Sequence, residues 1–208
     1  MSKKINTNCA KCRRAGVKLL LKGDKCLGPK CPFAKRSYAP GQHGPDSRRG
    51  KLSGYGAQLR EKQKAKRVYG LIERQFANYV EKSSKKVGDT SKILLAALES
   101  RLDNVVYRMG LGKSRLAARQ IVSHGLIVVN GKKVDVPSFN TKIGDVVALS
   151  AKGKNKKGFE NISERLSKIE APAWLAVNSK DISAKVLNVP QVEDPGFNAK
   201  SIIEYYSR

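Results

Sequence analysis

The sequence predicts an α+β fold, in which a helical region with a cysteine-rich N-terminal segment is followed by a module of two helices and a small antiparallel β-sheet. Three observations support this prediction. Residues 56–82 and 91–110 have the apolar periodicity of helices, an Asn-Gly pair at 130–131 separates two short apolar runs, and all four cysteines lie within the first 31 residues. Asn-Gly between such runs is a strong sign of a β-hairpin.

The charge of the chain predicts its class of partner. It has 42 Lys and Arg against 17 Asp and Glu, a net charge of +25, and residues 1–70 alone hold 19 basic and 3 acidic side chains. A compact protein with this charge repels itself unless a polyanion offsets it, so nucleic acid is the expected partner. No apolar run approaches the roughly 20 residues that cross a bilayer. Neither a membrane partner nor a secretory signal is therefore expected, and the cytoplasm is the predicted location.

The cysteines form two close pairs, Cys9 with Cys12 and Cys26 with Cys31, separated by thirteen residues. Four soft ligands in two pairs suit one tetrahedral zinc ion, and Gly28 favours the turn that would bring the second pair together. Because protein ligands would fill every position, such a zinc is structural and pins a basic segment that cannot form its own core. An iron–sulfur cluster and four free thiols remain as alternatives.

After the cysteines, residues 37–56 are rich in Gly, Pro and Ser and predict an extended loop. Its Tyr38, His43 and Tyr55 are candidates for stacking on unpaired bases. The next stretch, 56–82, is predicted as one helix, on which Arg60, Arg67 and Arg74 would line a face opposite the apolar one.

A second helix is predicted within 91–110, with Ser91 as its N-cap and Gly110 as its end. We expect Arg101 and Arg108 to share one flank of its apolar stripe, and Glu99 and Asp103 the other, which would give this helix a basic side.

The following elements complete this module. Ser114 and Gly125 bound a short helix that exposes Arg115 and Arg119 one turn apart. A hairpin with Asn130-Gly131 at its turn and a further strand at 145–150 follow.

The rest of the chain has weaker signals. Residues 151–158 are predicted as a basic loop and 159–170 as a helix, while Trp174 is expected to anchor the chain to a core. The tail at 199–208 is predicted as a short helix, with a strand as the alternative.

Several stretches resemble the family of small ribosomal subunit protein number four, of the bacterial type. They are "APGQHG" at 39–44, "YGAQLREKQKAKRVYGLIERQFANY" at 55–79, "LESRLDNVVYRMG" at 98–110, "ARQIVSHGLIVVNGKKV" at 118–134 and the closing "IIEYYSR". Many bacterial members lack the cysteines, so the chain is similar to the metal-binding branch.

The resemblance implies a role and partners. Proteins of this family bind the five-prime domain of small-subunit ribosomal RNA early and help to nucleate assembly. The family lies near the messenger RNA entrance, which Arg48, Arg49 and Lys51 would face, and it contacts small-subunit protein number five at an interface linked to decoding accuracy. No small-molecule substrate is implied.

The resemblance and the charge pattern together predict four stretches: a zinc-binding segment at 1–45, a helical domain at 46–98, an RNA-binding module at 99–164, and a C-terminal segment at 165–208 that packs on the helical domain. The basic residues predicted to contact RNA are Arg13, Arg14, Lys35, Arg36, Arg48, Arg49, Lys51, Arg60, Arg67, Arg74, Arg101, Arg108, Lys113, Arg115, Arg119, Lys132 and Lys133.

Two other classes of protein fit the sequence less well. An RNA-modifying enzyme can carry the same small module, but the scattered acids show no pairing with a His or Lys of the kind that acid–base chemistry needs. A zinc-finger transcription factor would need a groove-reading helix beside the metal site. A structural RNA-binding protein of the ribosome, without enzymatic activity, is the predicted function.

Overall fold

The computed structural model describes residues 7–45, 53–167, 169–192 and 194–207. The chain divides into two compact units: the first comprises Met1–Ser91 with Asp194–Arg208, and the second Lys92–Glu193. Both contain helices and the second contains an antiparallel sheet, so the α+β prediction is confirmed. Within the described ranges, no helix is long and apolar enough to span a bilayer.

The first unit begins with three short helices, α1 (Thr7–Ala15), α2 (Asp24–Leu27) and α3 (Pro32–Lys35). Their shared core is small: Cys12, Leu19 and Leu21 are buried, and the partly buried Ala15, Phe33 and Val68 pack against them. Helices of four residues have little stability of their own. The segment therefore depends on interactions other than apolar burial.

Two longer helices follow, α4 (Gly54–Val68) and α5 (Glu73–Ser84). The single helix predicted over 56–82 is wrong, because Gly70 has a φ of 65° and ends α4 in a left-handed turn. Ile72 precedes α5 and is 63% exposed, so it is not on the apolar face. Arg74 consequently belongs to a different helix from Arg60 and Arg67.

The C-terminal helix α11 (Ala199–Tyr206) packs on α4 and contacts α5. The prediction of a helical tail is confirmed. Asn198 caps it, accepting a hydrogen bond from the Ser201 N–H at 3.2 Å. Near its end, the Tyr206 hydroxyl donates to Glu73 Oε1 at 2.7 Å, and Lys62 and Lys66 reach the two oxygens of the same carboxylate at 2.8 and 2.9 Å.

Glu73→Gln is expected to destabilise the first unit at neutral pH. Burial acts to raise the pKa of Glu73, but hydrogen bonds from Lys62, Lys66 and Tyr206 outweigh it and hold the pKa at about 2, below its usual 4.5. The ionised carboxylate therefore adds stability above pH 4.5, and this contribution is lost as the pH falls towards 2. Because the side chain is 46% exposed, water screens the pairs, and the loss should be about 0.5–1 kcal/mol.

The measurement is the free energy of unfolding of wild type and Glu73→Gln between pH 7 and pH 3. The difference between them should shrink below pH 4.5. Tyr206→Phe removes one of the three donors and should have the smaller effect. A wild-type advantage that is equally large at pH 3 would contradict this account of Glu73.

The second unit begins with α6 (Thr90–Glu99) and α7 (Leu102–Arg108), not with the one continuous helix that was predicted. Between them, the Leu102 N–H donates to the Phe139 carbonyl at 2.8 Å, and the Thr141 N–H donates to the Ser100 carbonyl at 2.9 Å. The segment 137–141 thus replaces helical hydrogen bonds at the break. The apolar periodicity of the sequence does not reveal the break between α6 and α7, because the apolar spacing continues across the break.

The next elements follow the sequence prediction. Helix α8 (Arg115–Ser123) is capped by Ser114, whose hydroxyl accepts from the Ala117 N–H at 3.2 Å. The strands β1 (Ile127–Val129) and β2 (Lys132–Lys133) form the predicted hairpin. Asn130 and Gly131 have φ values of 50° and 79°, as a two-residue turn of this type requires.

The sheet is larger than predicted. Its order is β2-β1-β3-β5-β4, with β3 at Val146–Leu149, β4 at Leu175–Asn178 and β5 at Ser183–Val186, and every pair is antiparallel. Because β5 pairs with β3, the residues around these two strands belong to the second unit. Only the stretch from Asp194 onwards returns to the helical unit, whereas the sequence placed all of 165–208 there.

The remaining elements are α9 (Ala151–Lys154), a 3-10 turn (Lys157–Phe159) and α10 (Ile162–Ser167). Ser150 caps α9, so part of the predicted basic loop is helical. The core of this unit lies between these helices, α7, α8 and the sheet, and it includes Leu102, Met109, Ile127 and Val147, each fully buried, with Trp174 at 4% exposure. Burial of Trp174 agrees with the prediction that it anchors the chain.

Candidate RNA-binding surface and cysteine cluster

The four cysteines converge on one place in the first unit. Cys9 and Cys12 lie one turn apart on α1, Cys26 is on α2, and Cys31 precedes α3 as its N-cap. All four line one small cavity, together with Leu21, Lys22, Lys25, Phe33 and others. None of them forms a disulfide. The fold therefore brings together two pairs that are distant in sequence.

The cysteine sulfurs are surrounded by both backbone hydrogen-bond donors and buried apolar groups. The Lys22 N–H donates a hydrogen bond to Cys26 Sγ at 3.3 Å. At Cys12, burial raises the pKa of the thiol, a backbone hydrogen bond from Leu19 lowers it, and the nearby Cys26 raises it again. Burial is the largest of these causes, and the pKa of the Cys12 thiol is raised overall.

The cysteines fit a structural metal in residue type and in convergence. Four free sulfur ligands around one cavity are a donor set typical of zinc. The sulfur positions are not those of a coordinated ion, however, because no three His, Cys, Asp or Glu side chains among the described residues are arranged to hold a metal. The zinc site stays a prediction.

Two of the predicted RNA-binding arginines in the first unit are partly engaged within the protein. Arg13 donates to the carbonyls of Tyr38 and Ala39 at 3.0 and 3.3 Å, and its guanidinium lies 4.8 Å from the centre of the Tyr38 ring. Arg67 donates to the Lys11 carbonyl at 3.4 Å. These contacts attach the loop after α3, and helix α4, to α1.

The other predicted basic residues of this unit differ in exposure and position. Arg14 is exposed on α1 and lies close enough to Arg67 that, after burial, it is the next cause lowering the pKa of that guanidinium. Like charges held together in this way favour an anionic partner. The exposed members of the set in this unit also include Lys35, Arg36, Arg60 and Arg74. The predicted contacts of Arg48, Arg49 and Lys51 lie outside the described residues.

Arg101 is the clearest departure from the predicted surface. Its side chain is 2% exposed, and it forms a two-point pair with Asp103, with Nε to Oδ1 at 3.1 Å and a terminal nitrogen to Oδ2 at 2.7 Å. A buried guanidinium in this arrangement cannot reach a phosphate. Arg101 is therefore an interior residue, and the expected basic flank on this helix is wrong.

Three other arginines of the second unit are attached at one end to the interior and are partly exposed. Arg108 pairs with both oxygens of Glu99 at 2.8 and 3.0 Å. Arg115 donates to Asn104 Oδ1 at 2.7 Å and lies 3.4 Å from Glu99 Oε1, with its guanidinium 4.6 Å from the centre of the Tyr107 ring. Arg119 lies 3.3 Å from Asp103 Oδ2.

The predicted lysines of this unit are all exposed. Lys113 lies in the loop before α8, and Lys132 and Lys133 form β2 at the edge of the sheet. The aliphatic chain of Lys133 packs over Gly125, where a side chain would collide with it. The edge of the sheet therefore presents adjacent positive charges.

Three buried polar residues that hold these arginines were not predicted from the sequence. Glu99 is fully buried, Asn104 is 1% exposed, and Asp103 is 5% exposed. They were assigned to an exposed flank or given no role. The available signal was the density of alternating charge in "ESRLDN", but only the break after Glu99 turns these side chains inward. The ring of Tyr55, which was predicted to stack on bases, lies 5.5 Å from the ring of Tyr205 between centres, and the residue is 50% exposed.

Comparison with known proteins agrees with this arrangement. Residues 3–99 match the family described as ribosomal protein S4/S9 N-terminal domain, and residues 100–147 match the S4 domain. The whole chain is 49% identical to the whole of small ribosomal subunit protein uS4 of Clostridioides difficile. It is 49% identical over the same full coverage to uS4A of Clostridium botulinum, and 48% identical to uS4 of Acetivibrio thermocellus.

Similarity at this level extends over both units of the fold, including strands β4 and β5, which lie beyond the matched S4 domain. It covers all of each relative and leaves no stretch of this chain unmatched. The chain belongs to the uS4 family of small ribosomal subunit proteins.

Proposed function

We propose that this chain is a structural constituent of the small ribosomal subunit, located in the cytoplasm, and that it binds small-subunit ribosomal RNA directly. The full-length similarity to uS4 proteins carries this proposal. The net charge of +25 and the exposed basic side chains of both units support it, since neutralised phosphates supply most of the affinity for RNA. No enzymatic step is proposed.

We further propose that the RNA target is the five-prime domain and that binding occurs early in assembly. The family resemblance supports this target. In the same way, Arg48, Arg49 and Lys51 are proposed to face messenger RNA near its entrance, and small-subunit protein number five is the proposed protein neighbour, with an effect on decoding accuracy. Each of these proposals can be tested independently of whether the protein binds ribosomal RNA.

We also propose that Cys9, Cys12, Cys26 and Cys31 hold one zinc ion. Their convergence on one cavity and the small core beside them support it. Four thiolates would complete the coordination, so the ion would stabilise the segment and perform no chemistry. An iron–sulfur cluster would use the same ligands, and metal analysis with a visible absorption spectrum distinguishes the two.

Binding of the purified protein to the five-prime domain should be tight, selective and salt-dependent. If six to ten phosphates are contacted, the affinity should fall by about 10³–10⁵ between 50 and 200 mM salt. Lys132→Ala, on the edge strand, should lower the slope of log K against log salt by about one. Lys180→Ala, which removes an exposed lysine of the second unit outside the predicted set, should leave the slope unchanged.

The reference ligand is an unrelated structured RNA of the same length. Preference for the five-prime domain at every salt concentration would support the proposed target. Equal affinity for both RNAs would reduce the protein to a general polyanion binder and would overturn the proposed function.

A further inference from the structure

The second unit buries two carboxylates that RNA binding does not by itself require. Glu99 is fully buried and Asp103 is 5% exposed, in a protein that is strongly basic. Buried carboxylates are unfavourable unless cations and hydrogen bonds compensate for the lost water. Negative charge also opposes the binding of a polyanion. The position of these two groups therefore needs an explanation beyond charge.

Their contacts supply one. Glu99 Oε1 is shared by Arg108 at 3.0 Å and Arg115 at 3.4 Å, so the two guanidinium groups are held beside each other. Asp103 Oδ2 is shared in the same way by Arg101 at 2.7 Å and Arg119 at 3.3 Å. Arg115 and Arg119 are one helical turn apart, which makes them neighbours on α8. One continuous cluster results, with four guanidinium groups and two carboxylates.

Asn104 connects the parts of this cluster. Its amide Nδ2 donates to Glu99 Oε2 at 2.5 Å, and its Oδ1 accepts from Arg115 Nε at 2.7 Å. The ring of Tyr107 lies against the Arg115 guanidinium. The main chain between Glu99 and Asp103 is held by the hydrogen bonds of Ser100 and Leu102 to the segment 137–141. The carboxylates are thus attached to a rigid junction, not to a mobile loop.

The outer side of the cluster is open to a ligand. The side chains of Arg108, Arg115 and Arg119 are 30%, 20% and 37% exposed, whereas their acidic partners are buried beneath them. The whole cluster has four positive and two negative charges, a net excess of two, and three of the four guanidinium groups are on the exposed side. Planar guanidinium groups bind phosphate oxygens at two points when their orientation is set.

We propose that Glu99, Asp103 and Asn104 are positioning residues that hold Arg108, Arg115 and Arg119 as one preorganised array for neighbouring phosphates of an RNA backbone. The proposal rests on the proposed function, because RNA is the ligand. Arginines held in place before binding lose less conformational freedom on contact with phosphate. The buried carboxylates thereby increase affinity although their charge opposes it.

The decisive variant is Glu99→Gln in the full chain, assayed with the five-prime domain RNA at fixed salt and below the melting temperature of each variant. We expect affinity to fall about tenfold, because preorganisation is lost. The matched control is Glu164→Gln, which removes the same charge from an exposed residue of this unit. It should bind as wild type does or slightly more tightly.

Asn104→Ala is the second variant and changes no charge. Asn104 is only 1% exposed, so it cannot contact RNA, and an expected loss of about threefold to tenfold would have to act through Arg115. If Glu99→Gln does not fold, the affinity of Asn104→Ala alone tests the positioning role. Affinity equal to wild type in the folded Asn104→Ala protein would overturn the proposal.

A double-mutant cycle distinguishes positioning from general stabilisation. In a protein that carries Arg108→Ala and Arg115→Ala, Glu99→Gln should change affinity by no more than about twofold, since the groups it positions are absent. An undiminished loss in that background would overturn the proposal, as would a variant that melts earlier but binds RNA normally. The variants can be compared with wild type on either RNA. Whether the five-prime domain is the target is tested separately, by the preference of the wild-type protein for that RNA over the unrelated one.

Discussion

Chelation of metal from the purified protein is expected to unfold the segment from α1 to α3 while the sheet-containing unit stays folded. The apolar core of that segment has three buried residues, and α2 and α3 have four residues each. Such short helices do not persist without other support. Structural zinc in small zinc-dependent peptides contributes on the order of 10 kcal/mol, which is the largest effect we expect in this molecule.

Hydrogen exchange of residues 7–36 before and after chelation measures this effect, and mass spectrometry of the native protein should give one zinc per chain. Cys26→Ser should lose the metal and exchange as the chelated protein does. Leu27→Ser is the matched control, because Leu27 is the next residue on the same helix and is 74% exposed. Unchanged exchange after chelation, or full zinc content in Cys26→Ser, would contradict the proposed site.

Arg101→Met is expected to destabilise the second unit by about 3 kcal/mol. The substitution keeps the bulk of the side chain but leaves Asp103 buried with Arg119 as its remaining ion-pair partner, at 3.3 Å. Breaking a buried pair from one side is costly because the other charge stays out of water. Urea unfolding followed by the fluorescence of Trp174 measures the free energy of unfolding of this unit, since Trp174 is the single tryptophan and is buried.

Two further variants separate burial from charge. Arg74→Met changes an exposed arginine of α5 and should alter stability by less than about 0.5 kcal/mol. Arg101→Met combined with Asp103→Leu should recover most of the loss, because no buried charge is left without a partner. Arg119 also loses its partner Asp103, but its side chain is 37% exposed and stays solvated. If Arg101→Met instead weakened RNA binding without loss of stability, Arg101 would be a phosphate ligand and its assignment to the interior would be wrong.

The accuracy of the sequence predictions depended on the range of the interaction concerned. The Ser114 cap and the Asn130-Gly131 turn were predicted correctly because each is decided by the chemistry of a few adjacent residues. The breaks at Gly70 and after Glu99 were missed, since apolar spacing continues across both. Strands β4 and β5 were missed as well, because each has only four residues and forms through pairing with distant partners.

The same distinction applies to the site. Composition showed that a basic protein needs a polyanion, but it could not tell a surface arginine from a buried one. Arg101 and Arg108 are seven residues apart and look alike in sequence, yet the turn after Glu99 buries the first and leaves the second partly exposed. That turn exists because the segment 137–141 supplies hydrogen bonds from some forty residues away.

The sequence by itself determined the charge, the α+β class, the Ser114 helix cap, the hairpin and the spacing of the cysteines, because each of these is a local property of the chain. Ser91, predicted as an N-cap, instead lies within α6, and its N–H donates to Asp89 Oδ1 at 2.9 Å. The tertiary structure decided which carboxylates are buried, which arginines they hold and that four cysteines line one cavity. These depend on contacts between distant segments. Removing a charge from water is unfavourable, so a charged side chain is buried only where the fold places an oppositely charged partner beside it.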